Sequence, residues 1–358
     1  MRVLIAAGGT GGHIYPGVAI AREFQRRAPD ARILFVGTPR GLESKIIPRE
    51  GFDLELIQVS ALKGVSLAQR GKTLLQLPAS FFAARRILKR FKPDVVIGVG
   101  GYSSGPVLLA AALARMPTMV VEPNAMPGFT NRMLARYVKA AALSFEEARK
   151  YFRGRVVVTG NPVRGDFAHI AKKARNGRLS VLIFGGSQGA HAINTAMVGA
   201  LPLLAAKKEA LKITHQTGER DYEMVREGYK NAGFDDSGVM PFIHDMAARF
   251  EQSDVLICRS GATTAAEVAA AGKAAIFVPF PFATDDHQRK NAEAFVNAGA
   301  GRMIVQSELT PERLAGEIIR LIENPDEIDR MEEACRKLGR PDAAERAVDL
   351  ALAVMRDA

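Results

Sequence analysis

The chain has 358 residues, a length that predicts two domains, and its 47% hydrophobic and 24% charged residues are typical of a globular protein. Two cysteines, Cys258 and Cys335, exclude a disulfide framework and agree with a reducing compartment. The first apolar run is short and meets glycines, and no stretch reaches about 18 apolar residues, so we expect neither a signal peptide nor a transmembrane helix.

The net charge of +11 comes from the first half of the chain. Residues 1–160 hold 24 Lys and Arg against 10 Asp and Glu, whereas the remainder holds 25 against 28. A basic half suits nucleic acid, an anionic membrane or an acidic substrate, and a solvated basic surface is the plainer interpretation.

In the first half, short β-branched runs alternate with amphipathic stretches, which predicts βα units and a parallel sheet. The predicted strands are Arg2–Ala7, Arg32–Val36, Leu54–Val59, Val95–Val99, Thr118–Val121, Ala140–Leu143 and Arg155–Thr159. The predicted helices are Pro16–Arg27, Leu42–Glu50, Leu67–Arg90 and Val107–Ala114.

Polar and glycine-rich turns follow three of these strands. Gly8–His13 (GGTGGH) follows the first strand, and Gly98–Gly105 follows another apolar strand. Glycines let the backbone approach a ligand closely, and the helix that follows offers free N–H groups to an anion. Asn124 lies just after a further strand, where its amide either binds a sugar hydroxyl or satisfies its own turn.

The pattern restarts at Leu179, after the turn Gly160–Gly165 and the charged connector Lys172–Arg178. The predicted strands are Val181–Phe184, Lys212–Gln216, Val239–Pro241, Val255–Cys258 and Ala275–Val278, and the predicted helices are Ala190–Lys207, Asp221–Ala232, Thr263–Ala271 and Gln288–Ala298. From Thr310 the chain is predicted to be helical to its end. We therefore expect two doubly wound, Rossmann-like α/β domains facing each other across a cleft, with ligands at the carboxyl ends of the strands.

The second half contains a similar glycine-rich turn between a strand and a helix, at Gly185–Ala190 (GGSQGA). In Cys258–Glu267, small residues open a helix start to phosphate or ribose oxygens, and Glu267 either binds a ribose or complements the helix dipole. In Pro279–Gln288, Asp285 or Asp286 is expected to cap the next helix, which places His287 and Gln288 at its start.

Neither glycine turn fits the common nucleotide-binding fingerprints. The dinucleotide pattern fails because Ile14 and Gln188 stand where glycines are required, and no Lys-Ser/Thr pair of a P-loop follows either turn. Two tight strand–helix turns without a ligand are the plain alternative. The absence of an Asp-x-Asp at a strand end and of a His/Cys cluster predicts a site with no metal and no cofactor.

Taken in order over nearly the whole chain, these motifs closely resemble the MurG family of bacterial peptidoglycan glycosyltransferases. The matching segments are Gly8–Pro16, Gly98–Gly105, Glu122–Arg132, Thr159–Arg164, Phe184–Ala190, Cys258–Glu267 and Asp285–Asn291. One segment departs from the family, which often has His-Glu-Gln-Asn where this chain has Val121-Glu122-Pro123-Asn124. The departure leaves the Asn in place but puts the local backbone in question.

The resemblance implies a glycosyltransferase of the B type (GT-B) that moves N-acetylglucosamine from UDP-N-acetylglucosamine to the 4-hydroxyl of undecaprenyl-pyrophosphoryl-N-acetylmuramyl-pentapeptide. It implies an acceptor- and membrane-facing domain at 1–162, a UDP-sugar domain at 163–340, and a helix at 341–358 that is a candidate to pack back on the first domain. It also implies a peripheral enzyme at the cytoplasmic face of the bacterial membrane.

Residue by residue, the resemblance implies donor groups in the second domain. They are main-chain groups of Ile243 for uracil, Glu267 for ribose, Ser187 and the helix start Ala262, Thr263, Thr264, Ala265 and Ala266 for the diphosphate, and Arg164 and Gln288 to complete the site. Gln188, Gly189 and His287 are further donor- or substrate-binding residues that the resemblance implies. Thr10, Gly11, Gly12, His13 and Asn124 are implied to face the acceptor and the transferred sugar. An inverting displacement needs a base near neutral pH, and His13 is our candidate, with a structural turn histidine as the alternative.

The stretch Lys72–Arg90 mixes large apolar residues with five basic ones, so a helix here would suit an anionic membrane. Alternatively, Leu74, Leu77, Phe81 and Ile87 belong to the core and only the charges are exposed.

Two other functions compete with this interpretation. One is a UDP-sugar epimerase, or a transferase with another lipid acceptor, on the same fold. The other is a nucleic-acid-binding protein, which the sparse aromatic residues and the absence of Trp disfavour.

Overall fold

In the computed structural model the chain divides into two units. Unit 1 consists of Met1–Arg164 with Arg340–Ala358, and unit 2 of Gly165–Gly339. The structure describes residues 1–9, 11–39, 41–59, 67–124, 126–175, 177–186, 188–283 and 286–357, with side chains described except for those of 67–77.

Unit 1 is built on a seven-stranded parallel sheet in the order β3-β2-β1-β4-β5-β6-β7. Its strands are β1 Arg2–Ala7, β2 Arg32–Gly37, β3 Asp53–Leu56, β4 Val95–Gly100, β5 Thr118–Glu122, β6 Ala140–Leu143 and β7 Arg155–Val158. Its helices are α1 Gly11–Arg27, α2 Glu43–Arg49, α3 Leu67–Phe91, α4 Ser104–Leu113, α5 Phe129–Leu134 and the last of the chain, α14 Ala343–Arg356, with a 3₁₀ helix at Glu146–Tyr151.

Both faces of this sheet are covered, which is why its central strands are continuous apolar runs. Helices α1, α2 and α14 pack on one face, where Phe24, Ile47 and Val348 share a core cluster with Val3 and Ile5. Helices α3, α4 and α5 pack on the other face over Leu4 and Ala6. Because α14 contributes five buried residues to the first cluster, the end of the chain is part of the core of unit 1.

Unit 2 has a six-stranded parallel sheet in the order β10-β9-β8-β11-β12-β13. The strands are β8 Leu179–Phe184, β9 Leu211–Gln216, β10 Val239–Met240, β11 Val255–Cys258, β12 Ala274–Phe277 and β13 Gly301–Met303. The helices are α6 Gly165–Ala168, α7 His191–Ala200, α8 Tyr222–Asn231, α9 Met246–Gln252, α10 Ala262–Ala271, α11 His287–Asn297, α12 Pro311–Glu323 and α13 Pro325–Leu338, with 3₁₀ helices at Pro202–Ala210, Glu219–Asp221 and Gln306–Glu308.

The two sheets confirm the predicted α/β class, but several helix bounds were wrong. Helix α1 begins at Gly11 and carries Pro16 in its interior, whereas Pro16 was predicted to start it. The predicted helix Ala190–Lys207 ends at Ala200, because Pro202 begins a separate 3₁₀ helix. The tail after Thr310 is three helices, two of which begin at Pro311 and Pro325.

Strand order reverses once in each sheet, between β1 and β4 in unit 1 and between β8 and β11 in unit 2. In open parallel sheets the crevice for a ligand opens beyond the carboxyl ends of the two strands that flank such a reversal. The two glycine turns, the Gly98–Gly105 turn and the Cys258–Glu267 segment lie at these four strand ends. Across the described residues no helix is both long and apolar enough to cross a bilayer.

Candidate active site

In unit 1, the first glycine turn leaves β1 and enters α1, which begins at Gly11. Gly12 and His13 therefore lie in the first helical turn, where the positive end of the helix dipole favours an anion. Gly11 and Gly12 are thus placed as an anion site requires. Thr10 lies outside the described residues.

His13 reaches toward the end of the neighbouring strand β4. A Cβ on Gly100 would stand 2.6 Å from the His13 Nδ1, so the absence of a side chain at Gly100 makes room for the imidazole. Gly100 has φ +117°, a backbone conformation that glycine adopts without strain. Nδ1 itself is buried, although the residue as a whole is partly exposed.

The surroundings of His13 favour the neutral imidazole. Burial lowers its pKa below the usual 6.5, and the Val99 carbonyl and the Glu43 carboxylate oppose that shift. A neutral imidazole at neutral pH is the form that accepts a proton. This electrostatic setting suits a general base.

Ser104 joins the Gly98–Gly105 turn to the end of β1. Its hydroxyl accepts from the Gly100 N–H at 3.0 Å and lies 2.7 Å from the Ala6 carbonyl oxygen. The register of β1 on β4 shifts between Ala6 and Ala7 at this point. Such an irregularity beside a strand end re-aims the residues that follow it.

Asn124 is held by a buried carboxylate. Its backbone N–H and its side-chain amide both donate to Glu122 Oε1, at 2.9 and 3.1 Å, and the Gly128 N–H and Asn131 Nδ2 donate to Oε2. Burial raises the pKa of Glu122 while these donors oppose that rise. Glu122 thus ties Asn124 to Gly128 and Asn131, and the Asn124 amide nitrogen bonds within its own turn.

Arg164, predicted to complete the nucleotide-sugar site, is the last residue of the first segment of unit 1. Its guanidinium lies 4.4 Å from the centre of the Tyr15 ring on α1. A cation over an aromatic face is attracted to the electrons of the ring, which fixes Arg164 beside the first glycine turn.

In unit 2, the second glycine turn folds against the end of β9. Gly189 has φ +73°, and a Cβ there would overlap the Thr217 carbonyl. Gln188 precedes it within the turn and is exposed, whereas Ser187 lies outside the described residues. The turn therefore depends on the absence of a side chain at Gly189.

Gln216, which the sequence analysis did not single out, links this turn to Ile243. Its Nε2 donates to the Gly186 carbonyl at 2.9 Å, and its Oε1 accepts from the Ile243 N–H at 2.8 Å. The Ile243 N–H is therefore already bonded, and a ligand at Ile243 would meet the carbonyl rather than this donor. Gln216 lies at the end of a strand, where no signal in the sequence distinguishes it from an ordinary polar residue.

The Cys258–Glu267 segment enters α10 at Ala262, and Gly261 caps it without a side chain. Ala262, Thr263 and Thr264 form the first turn and lie partly exposed, followed by Ala265 and Ala266. Glu267 is the sixth residue of α10 and mostly buried, so it is not the first-turn acid of the alternative interpretation. It lies near the Cys258 thiol, whose pKa is raised by burial and by the Glu267 charge.

Arg259, inside this motif, is bonded to the neighbouring loops. Its guanidinium donates to the carbonyls of Val278 and Pro279 at 3.0 and 3.1 Å and to Gln306 Oε1 at 2.6 Å. Burial lowers the pKa of Arg259 to about 10, so the group remains charged at neutral pH. A positive charge is thereby fixed at the carboxyl edge of β11 and β12.

Gln288 and His287 open α11. Gln288 accepts from the Phe280 N–H at 3.0 Å through Oε1, and its carbonyl accepts from the Ser260 hydroxyl at 2.8 Å. Asp286 stands at the N-cap of α11, and its side chain makes no capping hydrogen bond there; Asp285, the other candidate for that role, lies outside the described residues. Among the described residues, no group of three or more His, Cys, Asp or Glu side chains is arranged to hold a metal ion.

Profiles of two domains cover most of the chain. The glycosyltransferase family 28 N-terminal domain matches residues 3–143, and the glycosyltransferase family 28 C-terminal domain matches residues 180–347. Together with the two parallel sheets, they define a two-domain, Rossmann-like glycosyltransferase of the GT-B class.

Two similar proteins narrow this class. A protein of Geotalea daltonii, named UDP-N-acetylglucosamine--N-acetylmuramyl-(pentapeptide) pyrophosphoryl-undecaprenol N-acetylglucosamine transferase, is 48% identical over 98% of this chain and 96% of its own length. The crystal structure of Acinetobacter baumannii MurG has a TM-score of 0.77 at 33% identity, over 98% of this chain and 99% of that one. The chain therefore belongs to the MurG family of family 28 glycosyltransferases.

The same fold occurs in a different class of enzyme. A putative UDP-N-acetylglucosamine 2-epimerase from Listeria monocytogenes has a TM-score of 0.73 and covers 100% of this chain and 97% of its own, but is only 14% identical. At that identity the likeness shows the fold alone.

Proposed function

We propose that this enzyme transfers N-acetylglucosamine from UDP-N-acetylglucosamine to the 4-hydroxyl of undecaprenyl-pyrophosphoryl-N-acetylmuramyl-pentapeptide, converting lipid I to lipid II in peptidoglycan synthesis. The observation that carries the proposal is the 48% identity over 98% of the chain to a relative named for this reaction. The candidate groups at both strand-order reversals are consistent with two substrates.

The purified protein should convert UDP-N-acetylglucosamine and a lipid-linked muramyl-pentapeptide acceptor into UDP and a disaccharide-bearing lipid. Mass spectrometry of the lipid product and enzymatic detection of UDP would measure both. Incubation with the nucleotide sugar alone is the control. Formation of the 2-epimer from the nucleotide sugar alone, together with no disaccharide when the acceptor is present, would instead favour the epimerase.

We assign the nucleotide sugar to unit 2. The positive end of the α10 dipole suits a diphosphate, the second glycine turn lies at the neighbouring strand end, and Arg259 adds a fixed positive charge nearby. Glu267 is assigned to the ribose and the Ile243 carbonyl to the uracil. Titration calorimetry with UDP tests this assignment, because Glu267→Ala should weaken UDP binding by about tenfold or more, the order of one lost charged hydrogen bond.

The proposed reaction is a single inverting displacement. The muramyl 4-hydroxyl oxygen bonds to the anomeric carbon as the bond from that carbon to the UDP oxygen breaks, and His13 takes the hydroxyl proton. The negative charge that develops on the diphosphate is stabilised by backbone N–H groups fixed before the reaction begins. A chelator should therefore leave turnover unchanged.

His13→Ala should lower kcat by about a hundredfold or more, the usual contribution of a general base. UDP binding should remain within about twofold of the original protein, because the donor groups lie in unit 2. Steady-state kinetics and titration calorimetry on the same preparation separate the two effects. Near-normal turnover in this variant would assign the base to another residue.

We further propose that unit 1 contacts an anionic membrane through α3, α4 and α5, at the cytoplasmic face of the bacterial membrane. These helices pack on one face of the sheet and leave large apolar side chains exposed, at 60% for Phe82, 62% for Leu113 and 57% for Met133. Exposed basic residues stand on the same three helices or just after them: Arg85, Arg86, Lys89, Arg115, Arg132 and Arg136. Such a mixture suits a surface of anionic lipid.

In the stretch Lys72–Arg90, some of the large apolar residues are buried in the core and others are exposed. Ile87 is buried in the core and Phe81 packs partly against it, as the plainer interpretation expected. Phe82 is exposed. Leu74 and Leu77 lie outside the described side chains.

Co-sedimentation with vesicles tests the membrane proposal. The protein should pellet with vesicles rich in anionic lipid at low salt and be released by salt. Replacing Phe82, Arg85 and Arg86 together by Ser should reduce binding, whereas replacing Lys207 and Lys208 of unit 2 by Ser should not. Failure to bind anionic vesicles at low salt would remove the proposal.

A further inference from the structure

Beneath the first glycine turn lies a buried carboxylate that the motifs do not include. Glu43, the first residue of α2, is fully buried. Its Oε2 accepts from the Gly9 N–H at 2.9 Å, and its Oε1 accepts from the Thr38 N–H at 2.7 Å and the Thr38 hydroxyl at 2.8 Å. One side chain therefore joins the turn after β1 to the turn after β2.

Three glycines leave the space that this carboxylate fills. A Cβ on Gly8 would stand 2.7 Å from Glu43 Oε1, and a Cβ on Gly37 or Gly41 would overlap the Glu43 side chain. Burying a carboxylate is costly unless hydrogen bonds replace its lost hydration, and here three donors do so. The pocket is thus shaped and polarised for a carboxylate.

Both backbone polar groups of Gly9 are hydrogen-bonded to the start of α2 and the residue before it. While its N–H donates to Glu43, its carbonyl accepts from the Leu42 N–H at 3.3 Å. Gly9 has φ +93° and so supplies little rigidity of its own. Because α1 begins two residues later, the peptide held at Gly9 sets where the first turn of α1, with His13, stands.

The charge of Glu43 adds a second link to the same histidine. The carboxylate favours the protonated form of the His13 imidazole, against the larger effect of burial. A base that takes a proton becomes positive, and a nearby fixed negative charge stabilises that product. Position and charge therefore act on His13 together.

We propose that Glu43 is a positioning residue for glycosyl transfer: its carboxylate holds the first glycine turn so that the imidazole of His13 meets the acceptor hydroxyl. This inference rests on the proposed function and on the role of His13 in it. It assigns to Glu43 an effect on turnover rather than on donor binding.

Glu43→Gln preserves the volume but replaces one acceptor oxygen by an N–H₂ group, which then faces the Gly9 or the Thr38 N–H. We expect kcat to fall by about tenfold to about a hundredfold, because small displacements of a catalytic group have effects of that size. The KM for UDP-N-acetylglucosamine and the Kd for UDP should change by less than about twofold. Glu50→Gln, which removes a partly exposed carboxylate at the end of the same helix, is the matched control and should leave turnover unchanged.

A double-mutant cycle with His13→Ala separates positioning from simple bracing of the fold. If Glu43 acts through His13, Glu43→Gln should cost turnover in the original protein and little more in the His13→Ala protein. Equal fold-losses in both backgrounds would overturn the inference. Where Glu43→Gln fails to fold, Glu43→Asp, which keeps the charge but draws it away from Gly9, enters the same cycle with the same expectation.

The activity of the wild-type protein in this cycle distinguishes failure of the proposed function from failure of the Glu43 inference. If it produces no disaccharide lipid from the nucleotide sugar and the muramyl acceptor, the proposed function fails and the Glu43 inference fails with it. If it is active and the losses are equal in both backgrounds, only the Glu43 inference fails.

Discussion

At the scale of single residues, burial decides which form of His13 the enzyme holds. The imidazole sits against Gly100 with its Nδ1 buried, and this burial outweighs both groups that favour its protonation. A histidine with an ordinary pKa would be partly protonated near neutrality, and that fraction would have no lone pair to offer a hydroxyl. The surroundings therefore favour the neutral form that the proposed general base requires.

The sign of this shift predicts the acid limb of the pH profile. Since the pKa of His13 lies below 6.5, kcat/KM should hold as pH falls through that value and decline only at lower pH, as the imidazole takes a proton. Kinetics between about pH 5 and about pH 8 measure this, and His13→Ala is the control, in which residual activity should lack the limb. The same limb in that variant would assign the titration to another group.

At the scale of elements, strands were more predictable than helix ends. Ala140–Leu143 and Val255–Cys258 were predicted to the residue, because strands buried on both faces are continuous apolar runs. The start of α1 was missed because Gly11, Gly12 and Pro16 are poor helix formers. Strand β13 was missed because three residues, Gly301–Met303, carry too little pattern.

In the candidate site, too, residues in local motifs were predictable and residues with distant partners were not. The glycine turns and Glu267 could be singled out as candidates because each lies within a short run of residues typical of a ligand-binding turn or helix start. Glu43 and Gln216 were not, since their partners Gly9 and Ile243 lie 34 and 27 positions away and only the folded chain brings them together. Local sequence gives Glu43 the role of a first-turn acid that complements a helix dipole.

The second glycine turn offers a test at this scale. Gly189→Ala should lower UDP affinity by about tenfold or more, equivalent to about 1.4 kcal/mol, because the new Cβ overlaps the Thr217 carbonyl and displaces the turn. Gly233→Ala is the control: its φ of +72° nearly equals the +73° of Gly189, but no atom lies within 4 Å of the added Cβ. Calorimetry with UDP compares the two, and equal affinities would show that the turn does not contact the nucleotide.

At the scale of the whole molecule, the chain leaves unit 1 after Arg164 and returns to it at Arg340. The returning helix α14 buries Val348, Leu350 and Ala351 against the core of unit 1, and Arg27 on α1 forms an ion pair with Asp349. The helix that completes the core of unit 1 is therefore the last helix of the chain. Weakening its packing should therefore destabilise strands that lie more than 300 residues earlier in the sequence, such as β1.

Leu350→Ala tests this dependence. Removing a buried leucine leaves a cavity that costs about 2–5 kcal/mol, and the loss should fall on unit 1 because Leu350 packs there. Hydrogen exchange measured by mass spectrometry should accelerate in β1 and α1 and stay unchanged in β8 and β11. Leu321→Ala in α12 is the matched control, since Leu321 is also buried but belongs to the core of unit 2, and it should produce the reverse pattern. Acceleration in β8 and β11 from Leu350→Ala would mean that the two cores unfold together rather than as separate cooperative units.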